Sequence, residues 1–152
     1  VASFSVIGIP ADQVSVRRGP SATIAVIGNP NSGKSTLFNR LTGMRQKTAN
    51  YPGVTVEKHV GITKIGTRTL ELIDLPGLFS LSPHSLEERI ATDVVLGRIG
   101  EVERPDGVLA VVDATHLYQG LFLVQQLLEL GCPILVALTM TDAAKASGIC
   151  VD

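Results

Sequence analysis

Two glycines, a lysine and three hydroxyls stand in the run Gly28-Asn29-Pro30-Asn31-Ser32-Gly33-Lys34-Ser35-Thr36, spaced so that they can hold a polyphosphate. In the pattern G-x-x-x-x-G-K-[ST], backbone N–H groups wrap the phosphates and the N-terminus of a following helix points at them. Lys34 reaches the outer phosphates and Ser35 offers a hydroxyl to Mg²⁺. The apolar run Ala22 to Ile27 precedes this loop and a helix-like segment follows it, which is the context such a loop needs.

Three further segments carry chemistry. Asp74-Leu75-Pro76-Gly77 follows an apolar strand, the place where nucleotide hydrolases put the acid that holds Mg²⁺, and Gly77 lets the backbone approach a γ-phosphate. Thr55, in Gly53-Val54-Thr55-Val56-Glu57, lies between the first helix and that acidic loop. It is either a switch threonine giving Mg²⁺ a second hydroxyl or a plain strand threonine in a β-branched run. Thr139-Met140-Thr141-Asp142 follows another apolar strand. Its carboxylate can accept the N1 and N2 donors of guanine, which adenine lacks, or cap a helix.

The elements that position these residues alternate. A strand over Ile24 to Gly28 leads into a helix over Lys34 to Leu41, stopped by Gly43, and then a polar loop over Thr42 to Pro52. Val54 to Thr63 and Thr69 to Asp74 read as a hairpin, and Ser85 with Glu88 forms a capping box for a helix over Leu86 to Leu96. A strand over Val108 to Asp113, a helix over Leu117 to Leu130 and a strand over Ile134 to Leu138 follow. The order β-α-β-β-α-β-α-β predicts an α/β fold with a mostly parallel sheet, helices on both faces and ligands at the carboxyl ends of the strands. A further strand is read near Ser3 to Ile9, and residues 1–20 are taken as an extension or linker.

Composition excludes several classes. At 152 residues, 45% hydrophobic and net charge −1, the chain suits one domain with a real core and gives no sign of nucleic-acid binding. Its longest apolar runs, such as Val108 to Val112, fall far short of a bilayer span, so this stretch is expected to be soluble. Cys132 and Cys150 are too few for a disulfide framework or zinc site, and His59, His84 and His116 lack ligand spacing. The chain begins at Val1 and ends soon after a helix starts, which reads as a fragment.

Taken together, these segments resemble the G domain of FeoB-type ferrous iron transport proteins. The wording is dense over Ile24 to Asp142: G-N-P-N-S-G-K-S-T-L-F-N-R-L-T-G, N-Y-P-G-V-T-V-E-K, E-L-I-D-L-P-G-L-F-S-L and V-D-A-T-H-L. The resemblance implies a P-loop NTPase of the Ras-like kind over residues 21–152, with its last strand, helix and guanine loop lying beyond this sequence. It assigns GTP or GDP with Mg²⁺ to Gly28 to Thr36, to Gly53, Val54, Thr55, Val56 and Glu57, to Asp74 to Gly77, and to Thr139, Met140, Thr141 and Asp142. Ser35, Thr55 and Asp74 would serve Mg²⁺, and Asn31 matches an asparagine that helps hold K⁺. Lys34, Thr55 and Gly77 would act in slow GTP hydrolysis, with potassium as the candidate stimulant. The implied setting is the cytoplasmic face of the inner membrane, attached to the membrane domain of the same protein. Small accessory iron-transport proteins and self-association are the other implied partners.

Two departures bear on that expectation. Thr139 stands where the family has asparagine, so a contact to the base edge or to the P-loop should be shortened or lost. Leu78 follows Gly77 where other GTPases place a water-orienting glutamine, an aliphatic choice that the resembled family shares. A cytosolic GTPase of ribosome assembly or tRNA modification, and a nucleotide-binding module without turnover, are the alternative readings.

Overall fold

The computed structural model describes residues 6–8, 21–100 and 102–149. Seven strands form one sheet: β1 (Val6–Gly8), β2 (Ser21–Gly28), β3 (Gln46–Asn50), β4 (Glu57–Ile65), β5 (Arg68–Asp74), β6 (Gly107–Asp113) and β7 (Ile134–Thr139). They lie in the order β1-β7-β6-β2-β5-β4-β3. Four helices accompany them: α1 (Lys34–Thr42), α2 (Leu86–Leu96), α3 (Leu117–Glu129) and α4 (Thr141–Ala146).

The apolar runs of β2 and β6 are continuous because both faces of the sheet are covered there. Ala25 and Ile27 of β2, with Val108, Ala110 and Val112 of β6, join the larger core under α2 and α3. Their alternating neighbours Val26, Leu109 and Val111 join Leu37 and Phe38 of α1 on the opposite face. Side chains two apart share a face, so a single strand feeds both cores.

Strands β5, β2, β6 and β7 are mutually parallel, so their carboxyl ends lie together. Antiparallel pairs flank this centre. The β4–β5 hairpin is present as expected. On the far side, β1 runs antiparallel to β7 and lies within the strand expected near Ser3 to Ile9, the rest of which falls outside the described residues.

Two expectations need correction. The polar loop expected over Thr42 to Pro52 contains β3, which pairs antiparallel with β4 from Gln46↔Gly61 to Asn50↔Glu57. Every residue of β3 is exposed, so a sheet-edge ladder holds it without an apolar face. The strand expected from Val54 begins only at Glu57. A turn intervenes, in which Gly53 adopts φ 75° and the Tyr51 N–H reaches the Val56 carbonyl at 3.0 Å. The capping of α2 is also rearranged: Ser85 Oγ accepts from the Glu88 N–H as expected, whereas the Glu88 carboxylate reaches back to the His84 N–H.

Candidate functional site

The Gly28 to Ser35 loop leaves the carboxyl end of β2 and enters α1, as the glycine-lysine spacing requires. Gly33, at φ 81°, makes the left-handed turn before the helix, so the first backbone N–H groups of α1 lack partners within the helix. Lys34, Ser35 and Thr36 form its first turn, with Ser35 and Thr36 exposed. Inside the loop, the Asn29 amide and the Ser32 hydroxyl are buried without hydrogen-bond partners. Buried polar groups normally find partners, so these two side chains are left available to donors and acceptors from outside the chain.

The second segment closes on the first. Leu75 N–H donates to the Val26 carbonyl at 3.1 Å, and Leu78 N–H donates to the Gly28 carbonyl at 3.1 Å. Gly77 sits so near the P-loop that a Cβ there would lie 3.0 Å from both the backbone nitrogen and Cγ of Pro30. Asp74, at the end of β5, forms an ion pair with Lys34, and both side chains are only 11% exposed. Lys34 and Asp74 thus neutralise each other at the carboxyl ends of the strands. Leu78 is fully buried in the core, so it presents no side chain to the site.

Thr55 lies on an exposed turn, not in a strand, which removes the plain strand reading. Val54 and Val56 on either side pack against the core and hold the turn down. Glu57 is exposed and faces His59 at 3.3 Å. Hydroxyls from Ser35 and Thr55 and the carboxylate of Asp74 are hard oxygen donors, the set that suits Mg²⁺.

The third segment meets the P-loop through Thr139. Its buried Oγ1 donates at 2.6 Å to the Ser32 carbonyl and lies 3.2 Å from the Val112 carbonyl. The P-loop contact expected to weaken at Thr139 is therefore made by the threonine itself. Asp142 sits exposed in the first turn of α4, while Met140 holds the cap position at φ 54°. The helix-cap reading of Asp142 is thereby excluded, and among the described residues its carboxylate has no partner. Thr139→Val keeps the shape of this buried side chain and removes its donor. It should destabilise the chain by about 1 kcal/mol and loosen the P-loop, with guanine-nucleotide affinity falling several-fold. Urea unfolding and nucleotide titration on the same variant check this, and unchanged values for both would dismiss the tie.

One residue of this site carried no sequence signal. Tyr51, beside the Gly53 turn, is 1% exposed, and its hydroxyl is buried without a partner. Burial, assisted by the negative charge of Asp74, holds the phenol above its ordinary pKa range. Among the described residues there is no group of three or more His, Cys, Asp or Glu able to hold a metal. No helix there is long and apolar enough to cross a membrane.

Known proteins share this arrangement. The profile of the family "Ferrous iron transport protein B" matches residues 22–152. The Fe(2+) transporter FeoB of Salmonella typhimurium (strain LT2) is 47% identical over 134 residues, covering 86% of this chain and 17% of that protein. A protein of Porphyromonas gingivalis (strain W83), described as a fusion of Fe(2+) transport protein A with Fe(2+) transporter FeoB, is 44% identical over 129 residues. That match covers 85% of this chain and 15% of the fusion. The cytosolic domain of the T. maritima FeoB iron transporter, solved in a GDP form, superposes with a TM-score of 0.78 at 41% identity, covering 87% of this chain and 50% of that one. The chain thus spans about half of a solved cytosolic domain and under a fifth of the curated relatives. With a profile match across most of its length and relatives above 40% identity, it belongs to the ferrous iron transport protein B family, in the part that forms the G domain.

Proposed function

We propose that this domain binds GTP with Mg²⁺, hydrolyses it slowly, and thereby regulates ferrous iron uptake through a membrane domain of the same protein. One observation carries the reading: at the joined carboxyl ends of the parallel strands, Lys34 and Asp74 neutralise each other beside the unpartnered Asn29 and Ser32 side chains. A Mg²⁺–phosphate ligand would give Lys34 and Asp74 their counter-charges and offer partners to Asn29 and Ser32. Solved relatives in GDP forms support the nucleotide.

In this reading the backbone of Gly28 to Gly33 and the Lys34 ammonium take the phosphates, and Ser35, Thr55 and Asp74 hold Mg²⁺. Bound Mg²⁺ supplies positive charge to the phosphate oxygens. Gly77, pressed against Pro30, offers its N–H at the γ-phosphate, and Lys34 stabilises charge as water attacks in line. Asn31, exposed at φ 65°, is the candidate K⁺ contact, and Asp142 reads guanine. Residues 44–55 and 78–85 are the segments that move with the γ-phosphate. The domain would sit at the cytoplasmic face of the membrane and meet small accessory iron-transport proteins, a partnership favoured by the fused P. gingivalis relative. Residues 1–20 would serve as an extension of residues 21–152 or as a linker to them.

The buried Leu78 favours a second reading, nucleotide binding without turnover, because no side chain there can orient water. Competition between fluorescent GDP and ADP, followed by phosphate release in K⁺ and then Na⁺, decides both points. GDP should win by at least about a hundredfold, and Asp142→Ala should erase most of that preference. Phosphate release should be faster in K⁺. Equal binding of GDP and ADP would defeat the guanine assignment, and release no faster than without protein would leave the binding module.

A further inference from the structure

The Tyr51 hydroxyl is a buried orphan among the described residues that the phosphate-binding reading does not use. It is placed by strand geometry. Strand β4 runs antiparallel to β5, with His59 opposite Asp74, so the residues before Glu57 extend past the end of β5 towards the site. Strand β3 runs antiparallel to β4 and delivers Tyr51 to that same end, immediately after the Asn50↔Glu57 pair.

Two backbone bonds then close a turn around Thr55. The Tyr51 N–H donates to the Val56 carbonyl at 3.0 Å, and the Val54 N–H donates to the Tyr51 carbonyl at 3.3 Å. The Tyr51 ring is sunk in the larger core, the cluster that also holds Leu75 and Leu78 on either side of Pro76 and Gly77. One side chain therefore anchors the Thr55 turn to the Asp74 loop. A ring alone would suffice as a plug; phenylalanine would do it without burying a hydroxyl. The hydroxyl is buried without a partner at the end of the sheet where β5 delivers Asp74.

In the structure Asp74 has its donor in Lys34. When Lys34 turns to phosphate, that carboxylate loses a donor, and a carboxylate has room for several. We propose that Tyr51 is a positioning residue of the nucleotide site: its O–H donates to Asp74 once Lys34 has moved to phosphate, and its turn thereby sets Thr55 in place. The proposal deepens the Mg²⁺-nucleotide reading and rests on it. Tyr51 touches no substrate and acts through Asp74 and Thr55.

The test uses full-length protein and a fluorescent GDP analogue, titrated with Mg²⁺ and also measured in EDTA. Tyr51→Phe keeps the ring and removes only the hydroxyl. It should raise the Mg²⁺ concentration for half-maximal nucleotide retention about tenfold, in line with a lost hydrogen bond to a charged group, and leave affinity in EDTA within twofold. Asp74→Asn gives a second arm: if Tyr51 acts through Asp74, adding Tyr51→Phe to Asp74→Asn should cost little more. An unchanged Mg²⁺ midpoint in Tyr51→Phe overturns the proposal. So does an equal loss of affinity with and without Mg²⁺, which marks a structural plug, and so does full additivity with Asp74→Asn. A wild-type protein whose GDP retention ignores Mg²⁺ overturns the site reading itself, a result separate from any effect of Tyr51.

Discussion

Lys34→Ala is expected to lower guanine-nucleotide affinity at least about a hundredfold and to remove about 2 kcal/mol of folding stability, through two separable causes. The structure pairs Lys34 with Asp74 in a niche that leaves each side chain only 11% exposed. Deleting the lysine strands a carboxylate away from most of its water, and breaking a fully buried pair costs about 3 to 5 kcal/mol. The remaining exposure reduces that figure here. Asp74→Asn in the same chain removes the stranded charge, so the double variant should regain most of the lost stability. Its affinity should stay low, because the phosphates still lack their cation. Urea unfolding without nucleotide and titration with labelled GDP read the two effects apart. A double variant as unstable as Lys34→Ala would show that the ion pair is not the source, and near-normal affinity in Lys34→Ala would remove the lysine from the phosphate site.

In the proposed Mg²⁺-nucleotide reading, the same pair orders ligand binding. Lys34 and Asp74 are each other's counter-charge until phosphate takes one and Mg²⁺ the other, so either ligand alone leaves one of them unpaired. Binding of the two should therefore be mutually favourable, as any shared two-state element requires.

The loops proposed to bind phosphate were legible in the sequence because that chemistry demands residue types at fixed spacing. Gly28, Gly33 and Lys34 stand where the phosphate pattern puts them, and the structure joins them to Asp74, Gly77 and Thr139 at one end of the sheet. Strand β3 was not legible, since Gln46 to Asn50 bears no alternation and is held only by its ladder to β4. The turn at Gly53 to Val56 misled in the opposite direction: three β-branched residues read as strand, but the positive φ of Gly53 and the Tyr51–Val56 bond bend the chain there. Tyr51 and Thr139 show the remaining limit. Which side chains become buried, and which carbonyl a hydroxyl meets across 107 positions, depend on packing between distant segments. Local pattern does not encode that.

The strongest steric demand in the site falls on Gly28, where Gly28→Ala should destabilise the chain by about 3 kcal/mol and reduce nucleotide affinity at least about tenfold. A Cβ built there lies 2.5 Å from the Val111 carbonyl oxygen and 2.8 Å from Ser32 Oγ. The first neighbour is backbone, held in the ladder that pairs Gly28 with Val111, so it cannot swing aside as a flexible side chain could. Relief requires β2 and β6 to separate at their carboxyl ends. That separation would disturb three site contacts together: the Gly28 carbonyl that takes the Leu78 N–H, the Ser32 turn, and the Val112 carbonyl beside Thr139. The affinity loss should consequently exceed that of Thr139→Val, which deletes one of these contacts and leaves the strands in register. Chemical unfolding and GDP titration of the two variants side by side give the ranking. If Gly28→Ala is as stable and binds as tightly as wild type, the strands have room that the structure does not show, and the close approach of β6 to the phosphate loop is not what fixes the site.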